Sequence, residues 1–478
     1  MPLKQAFEKL RQLDIVPVII ISGIILFYSP AKAADDLEIS SLTQFCSKLQ
    51  SKPQLRPVDE TVDETITDIA DFAENNLGWQ LIKQNVSQRG PAQRLHLNFN
   101  VPAVKKSSNR AEISRIDTTI ISINGKLRGM RGTIIKQTDQ AQNQLPASLF
   151  SFTPACQVIE SRHILYDRHG SISDIMIKKP GAAPRIEPVN PPLLPLKPGL
   201  EQNHSRSNLP IIIGHIDSGI DYRRPAFAAH LLYDENGRLI GRDDWDGDHR
   251  PFDADLSLSP FFVRRHGSYI FDILHQTSID FKLLPVRYPR LNMQMMGDII
   301  HWLADQGAAI VMMPLGSRNA DDWASFIQAA AAHPQMLFII SAGNNGVNID
   351  KSPIYPAVNN LGNALTVTST LMDGKLAQES NYGIMVDVGL PAENLSTIGI
   401  DGISVQKSGS SFAVPKLAAY ITCLIQTDPQ LAGNGNALAK TVLSRLQKGS
   451  ENTAYTGFLP DQQLDQTCAK LQLPPNKG

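Results

Sequence analysis

At 478 residues the chain is too long for one ordinary domain, and with 42% hydrophobic and 19% charged residues it can bury a sizeable core. A formal net charge of −1 argues against nucleic acid or an anionic membrane surface as its main partner. No repeat at solenoid periods is visible.

The first predicted element is a targeting signal over residues 1–33. Lys4, Lys9 and Arg11 precede an apolar run from Ile15 to Tyr28, and Ala31-Lys32-Ala33 supplies small residues at the spacing a signal peptidase needs. The run is short for a membrane span, so a cleaved secretory signal is expected, with a secreted or periplasmic product. Membrane attachment would require that segment to be retained. Export gives meaning to Cys46, Cys156, Cys423 and Cys468, none of which sits in a CxxC pair of the zinc-binding kind. Two fall on each side of the expected domain boundary. The preferred pairing is therefore Cys46–Cys156 and Cys423–Cys468, since the other two connectivities cross domains.

Residues 35–178 read as a small α+β or mostly β domain. Val62 to Leu77 has helical spacing, and strands are expected at Arg94–Val101, Asp117–Ile123, Gly132–Lys136 and Ile172–Lys178. Asn124-Gly125 and Arg168-His169-Gly170 read as hairpin turns. A stretch rich in proline, residues 179–204, reads as an extended interdomain linker.

The pattern then changes. The apolar run Ile211-Ile212-Ile213-Gly214-His215-Ile216 ends in Asp217, which reads as a buried parallel strand with an acid at its carboxyl end, where α/β sheets place their sites. Arg265-His266-Gly267-Ser268 opens an apolar helix. Further helices are expected over Asp298–Ala308, Trp323–Ala332 and Leu438–Leu446, with strands at Ile310–Leu315, in the stretch leading to Asn344, and at Leu361–Ser369. This alternation predicts a parallel sheet with helices on both faces. Residues 451–478 read as a C-terminal tail.

Ser411 lies in Ser408-Gly409-Ser410-Ser411, a tight turn before an Ala- and Leu-rich helix, with Pro415 expected within the first turn. Such a serine stands in a positive field beside free backbone N–H groups, which suits a nucleophile whose attack creates an oxyanion. The bland alternative is a serine N-cap on a buried helix. The order Asp217, His266, Ser411 decides between them, because it is a known triad order; no histidine follows position 333 to serve a hydrolase elbow. Among the other histidines, His215 reads as core, and His249 and His275 lack the Gly-Ser turn.

Residues 205–450 resemble a subtilisin-like serine protease (subtilase, peptidase S8). Asp217-Ser218-Gly219 is similar to the family's Asp motif, His266-Gly267-Ser268 to its His motif, and Gly409-Ser410-Ser411-Phe412-Ala413-Val414-Pro415 to its Ser motif. Ser341-Ala342-Gly343-Asn344 resembles the segment carrying the oxyanion-hole Asn, which makes Asn344 that residue. Leu315-Gly316-Ser317 resembles the strand end that pairs with substrate backbone, and Tyr355-Pro356-Ala357 the wall of the first specificity pocket. The resemblance implies a secreted endopeptidase acting on a peptide or protein substrate. Asp217, His266 and Ser411 would be catalytic, and Leu315, Gly316, Ser317, Ser341, Ala342 and Gly343 would line the substrate.

It also implies that residues 35–178 act as an inhibitory propeptide, the chain's own partner; a substrate-docking or envelope-interaction role is the alternative. No cofactor or metal is assigned. Asp243, Asp244, Asp246, Asp248, Asp253 and Asp255 cluster as hard oxygen donors but lack an EF-hand's distal Glu, and Ala226 falls where the family's calcium site usually has Asp. Three positions depart from the family pattern: Tyr269 for a second His, Asp272 for a small Gly and Phe412 for Met. Tyr269 and Asp272 lend weight to one rival reading, a subtilase-fold binding protein of weak or no activity; a second rival is a non-proteolytic acyl hydrolase using the same triad. Against the second, a strand edge recognises extended peptide backbone.

Overall fold

The computed structural model describes residues 30–51, 61–89, 92–101, 112–138, 141–167, 169–191, 210–277, 279–290, 292–399, 402–448 and 454–469. The expected apolar signal run, Ile15 to Tyr28, lies outside these residues, as does most of the latter half of the expected linker. The chain divides into two compact units between Pro188 and Val189.

In the first unit, helices α1 (Pro30–Gln50) and α2 (Thr61–Phe72) accompany an antiparallel sheet of strands β1 to β8 in sequential order. The strands are β1 Gln80–Arg89, β2 Ala92–Asn100, β3 Glu112–Ile123, β4 Lys126–Thr138, β5 Ala141–Phe152, β6 Val158–Tyr166, β7 Ile172–Lys178 and β8 Arg185–Pro188. Period-two alternation gives one apolar face, including Leu97 and Phe99 on β2 and Ile116 and Ile120 on β3. Leu42, Phe45, Leu49, Ile66 and Ile69 of the two helices join it in one core. Asn124 and Gly125 both take positive φ, 51° and 74°, as a two-residue type I′ hairpin requires. Cys46–Cys156 fastens α1 to the turn between β5 and β6, the pairing expected.

In the first unit four strands were not foreseen, β1, β5, β6 and β8, and each has a reason. β1 is an edge strand whose Ile82 and Val86 stay exposed, so its alternation is weak. β5 contains Pro146, where its register against β4 shifts. β6 interleaves Glu160 and Arg162, an ion pair, among its apolar residues. The expected linker also needs correction. Its first part is structured, because Arg185-Ile186-Glu187 pairs with β7 between Pro184 and Pro188. Prolines at the ends of an edge strand leave its middle donors free to pair.

The second unit is a parallel eight-stranded sheet in the order β10-β11-β9-β12-β13-β14-β15-β18, with helices on both faces as expected. Its strands are β9 Ile211–Asp217, β10 Arg242–Asp243, β11 Phe281–Arg287, β12 Ile310–Met313, β13 Leu337–Ser341, β14 Ala364–Thr370, β15 Val388–Pro391 and β18 Gly457–Phe458. A separate antiparallel hairpin joins β16 Leu395–Ile398 to β17 Ser404–Lys407. On one face α4 (Met296–Asp305), α5 (Ala324–Ala332) and the short turn before α5 pack Ile299, Leu303, Phe326 and Trp323 against Ile216, Leu284, Val311 and Phe338. The alternate strand residues Ile213, Ile310, Met312, Leu337 and Ile339 are buried from the other face, where α6 (Ser410–Thr427) lies against β13 and β14.

Helix α3 (His266–His275) and α7 (Gly435–Ser444) complete the expected set. The described part of the residues read as a tail, 454–469, is structured. β18 extends the sheet, and α8 (Asp461–Ala469) is bonded to α6 by Cys423–Cys468, the second expected disulfide.

Candidate active site

Strand β9 sits between β11 and β12, inside the sheet, and ends in Asp217, whose side chain is 5% exposed. Helix α3 begins beside it with His266. The reason for glycine at position 267 is contact: a Cβ there would lie 2.0 Å from the Gly219 carbonyl oxygen and 3.1 Å from Asp217 Cβ. That approach brings His266 Nδ1 to 2.8 Å from Asp217 Oδ1 and 2.9 Å from Oδ2. An ionised carboxylate only accepts, so Nδ1 carries the proton and Nε2 presents a lone pair.

The electrostatics agree with the geometry. Burial alone would raise the Asp217 pKa, but His266, with His215 behind it, holds the carboxyl well below the usual carboxylate range. Burial likewise opposes charge on His266, and the Asp217 carboxylate outweighs it, leaving the imidazole above its ordinary value. His215, expected in the core, is fully buried with Nε2 3.4 Å from Asp217 Oδ2.

Ser411 is the second residue of α6 and is buried. The adjoining Phe412 ring stands edge-on to His266, with centroids 6.0 Å apart. The Ser411 hydroxyl donates to the Pro314 carbonyl at 3.3 Å. Among the described residues no hydrogen bond joins it to His266, so the structure brings Ser411 beside the Asp217–His266 pair without closing the last link. Pro415 was expected in the first turn. It falls in the second instead, because Asn344 Oδ1 accepts the Ser410 N–H at 2.8 Å and fixes the start of the helix there.

Asn344 is exposed and lies three residues past the end of β13. Gly409, at φ +123°, lies so close beneath it that a Cβ would be 2.9 Å from Asn344 Oδ1. With Oδ1 turned to Ser410, the amide Nδ2 is the donor left for a ligand.

The residues expected to line substrate divide. Leu315 and Gly316 follow the end of β12, whereas Ser317 exchanges both backbone hydrogen bonds with Tyr355, at 2.9 and 2.8 Å. Ala342 is committed through its N–H to Val367 and its carbonyl to Asn381 Nδ2. The Gly343 N–H goes to Ser410 Oγ at 3.1 Å. Ser341 is buried at the end of β13. These inner residues form a fixed wall, while Leu315 and Gly316 form an edge.

A supporting layer was not read from the sequence. Ser218 Oγ donates to Asp253 Oδ1 at 2.7 Å and accepts the Gly267 N–H at 3.0 Å. Asp253 Oδ2 accepts the Ser268 N–H at 2.7 Å. Asp253 is completely buried, which pushes its carboxyl up to about 6 against the pull of Arg265. Its one sequence signal was membership of the Asp-rich stretch. The other carboxylates of that stretch face arginines: Asp244 pairs with Arg242, Asp248 with Arg250, Asp255 with Arg290, and both Asp243 and Asp246 with Arg287.

Comparison with known proteins gives three findings. The model of the subtilase family matches residues 210–458. The thermophilic serine proteinase of Bacillus sp. (strain AK1) is 26% identical over 230 residues, 44% of this chain and 51% of that protein. Halolysin of Haloferax mediterranei is 27% identical over 219 residues, 42% of this chain and 39% of that protein. The chain thus spans about half or less of the length of these relatives. Among solved structures, a cold adapted subtilisin-like serine proteinase aligns with a TM-score of 0.43 at 20% identity, covering 52% of this chain and 88% of that one.

Proposed function

This chain belongs to the subtilase family, and we propose that it is an exported serine endopeptidase working through Asp217, His266 and Ser411. The observation that carries the reading is the hold of both Asp217 oxygens on His266 Nδ1, at 2.8 and 2.9 Å, beside a serine at a helix N-terminus.

In the proposed reaction the Ser411 hydroxyl turns from the Pro314 carbonyl to His266 Nε2. Catalytic hydrogen bonds in resting sites are commonly long and tighten with substrate. His266 takes the proton as Ser411 Oγ bonds to the peptide carbonyl carbon. The resulting oxyanion receives hydrogen bonds from Asn344 Nδ2 and the Ser411 N–H. On collapse the C–N bond breaks, His266 gives its proton to the leaving amine, and an acyl-enzyme remains on Ser411. Water, deprotonated by His266, then releases the acid and restores Ser411. Asp217 keeps the imidazole in the productive tautomer and stabilises its charged form.

Export is supported by the N-terminal sequence pattern and by two disulfides, which persist in oxidising compartments. The first unit is assigned the part of an inhibitory propeptide. Cleavage of an unfolded protein substrate by the purified chain tests the reading. Fragments with new amino termini, lost in Ser411→Ala by about 10³-fold or more, support it. Equal cleavage by that variant rejects it.

A further inference from the structure

The residues around His266 carry positive charge that the proposed mechanism does not use. Tyr269 lies one turn along α3 from His266, on the same face. Lys407, the last residue of β17, holds its ammonium 4.2 Å over the Tyr269 ring. Four residues later the chain reaches Ser411. Arg264, two residues before His266, is exposed, with Asp255 as a loose partner at 3.9 Å. Among the described residues no carboxylate pairs with Lys407. Lys407, stacked on the ring one turn along the helix from His266, and Arg264, two residues before it, flank the start of that helix and so border a common region; burial first, and Arg264 second, hold the Lys407 ammonium below its ordinary value.

The identity of that region follows from the chemistry. The leaving amine takes its proton from His266, so the peptide after the scissile bond must pass His266 and its neighbours Phe412 and Tyr269. The acyl part lies instead along the Leu315–Gly316 edge. Resting on the endopeptidase reading above, we infer that Lys407 and Arg264 form a carboxylate-selecting subsite for the leaving segment, favouring substrates with Asp or Glu just after the cleaved bond.

Stacking on Tyr269 fixes the ammonium before substrate arrives, which lowers the ordering cost of pairing with it. The half-buried setting of Lys407 limits solvent screening relative to an open surface. The site nevertheless borders solvent through Arg264, so the selection is modest, about three- to ten-fold in kcat/KM.

The test uses C-terminally amidated peptides identical before the scissile bond and carrying Glu, Gln or Lys at the first or second position after it. A Gln peptide with a free C-terminus shows whether a chain-end carboxylate serves as well as a side chain. Fluorophosphonate labelling of the same protein reports nucleophile competence without any leaving peptide. In the full chain after maturation, Glu over Lys by about three- to ten-fold is expected, shrinking as salt rises. Within each variant the Glu:Lys ratio cancels general effects on catalysis. It should fall toward one in Lys407→Gln and reverse in Lys407→Glu, with a smaller fall in Arg264→Gln. A gain confined to the free-acid peptide assigns the same subsite to chain ends. Labelling with equal rates for Glu and Lys peptides overturns the subsite and leaves the protease reading standing. Neither labelling nor cleavage overturns both.

Discussion

Asp272 Oδ2, on the helix that begins with His266, accepts the Ile398 backbone N–H at 2.9 Å and the Thr397 hydroxyl at 2.9 Å. Its Oδ1 takes Arg224 Nη2 at 2.9 Å, and Gln276 Nε2 adds a fourth bond. A carboxylate at this position, where a subtilase usually has a small residue, is thus fully partnered. It ties the helix of the proposed base to the β16–β17 hairpin, which runs directly into the Ser408–Ser411 turn.

Removing it strands those partners. Asp272→Ala leaves Arg224 largely buried without its counter-ion and the Ile398 N–H without an acceptor. The expected loss is about 3–5 kcal/mol. A fall in the denaturant midpoint at constant slope measures it. Asp272→Asn, which keeps the shape and an acceptor, is expected to lose less.

Asn344→Ala is expected to lower kcat by about 10²–10³-fold with little change in KM, because in its proposed role the lost donor acts on charge that develops only in the transition state. The same side chain caps Ser410 through Oδ1, so truncation alone confounds two roles. Asn344→Asp keeps the acceptor and loses the donor. Steady-state kinetics on both variants should give similar losses in kcat, while thermal melts show a smaller stability loss for Asn344→Asp.

In the proposed reaction His266 must be neutral to accept the Ser411 proton. Asp217 raises its pKa above the ordinary value of about 6.5, so kcat/KM is expected to rise with pH along an acid limb whose midpoint lies above that value. Asp217→Asn removes the cause. The residual activity, about 10⁴-fold lower, should show its midpoint shifted to lower pH. The same pair contributes to folding stability. The His266 share is fully present below its unfolded pKa and is lost as pH rises through the raised one. The Asp217 share is present above the unfolded carboxylate pKa and is lost as pH falls through the lowered one.

The Cys423–Cys468 bridge closes a loop with a sequence separation of 45 and holds α8 on the helix bearing Ser411. Chain-entropy arguments assign such a loop about 4 kcal/mol. Replacing both cysteines with serine should lower the unfolding free energy of the second unit by that order, as read by denaturant titration.

What was legible in the sequence was whatever the fold makes locally. Asp217 ends an apolar strand, His266 and Ser411 open apolar helices, and each is marked by a glycine that close backbone approach demands: Gly267 against Gly219, Gly409 beneath Asn344. Helix–strand alternation likewise gave the parallel sheet. What stayed hidden depends on pairs far apart in sequence. Asp253 supports Ser218 across 35 residues, and Asp272 reaches Thr397 across 125. No local pattern distinguishes such carboxylates from solvated ones. In the first unit the missed strands are edge, proline-bearing or charge-bearing, so their partners rather than their own alternation define them.

The measurement that bears most directly on Ser411 as a nucleophile served by His266 is intact-mass labelling with a serine-directed fluorophosphonate. Wild-type protein, Ser411→Ala and His266→Ala would be compared before and after removal of the N-terminal region. One adduct mapping to Ser411, absent from both variants, is the expected result. If the region inhibits, the adduct should form only once that region is removed. No adduct on the wild-type protein in either form, or an adduct that persists in Ser411→Ala, would contradict the account.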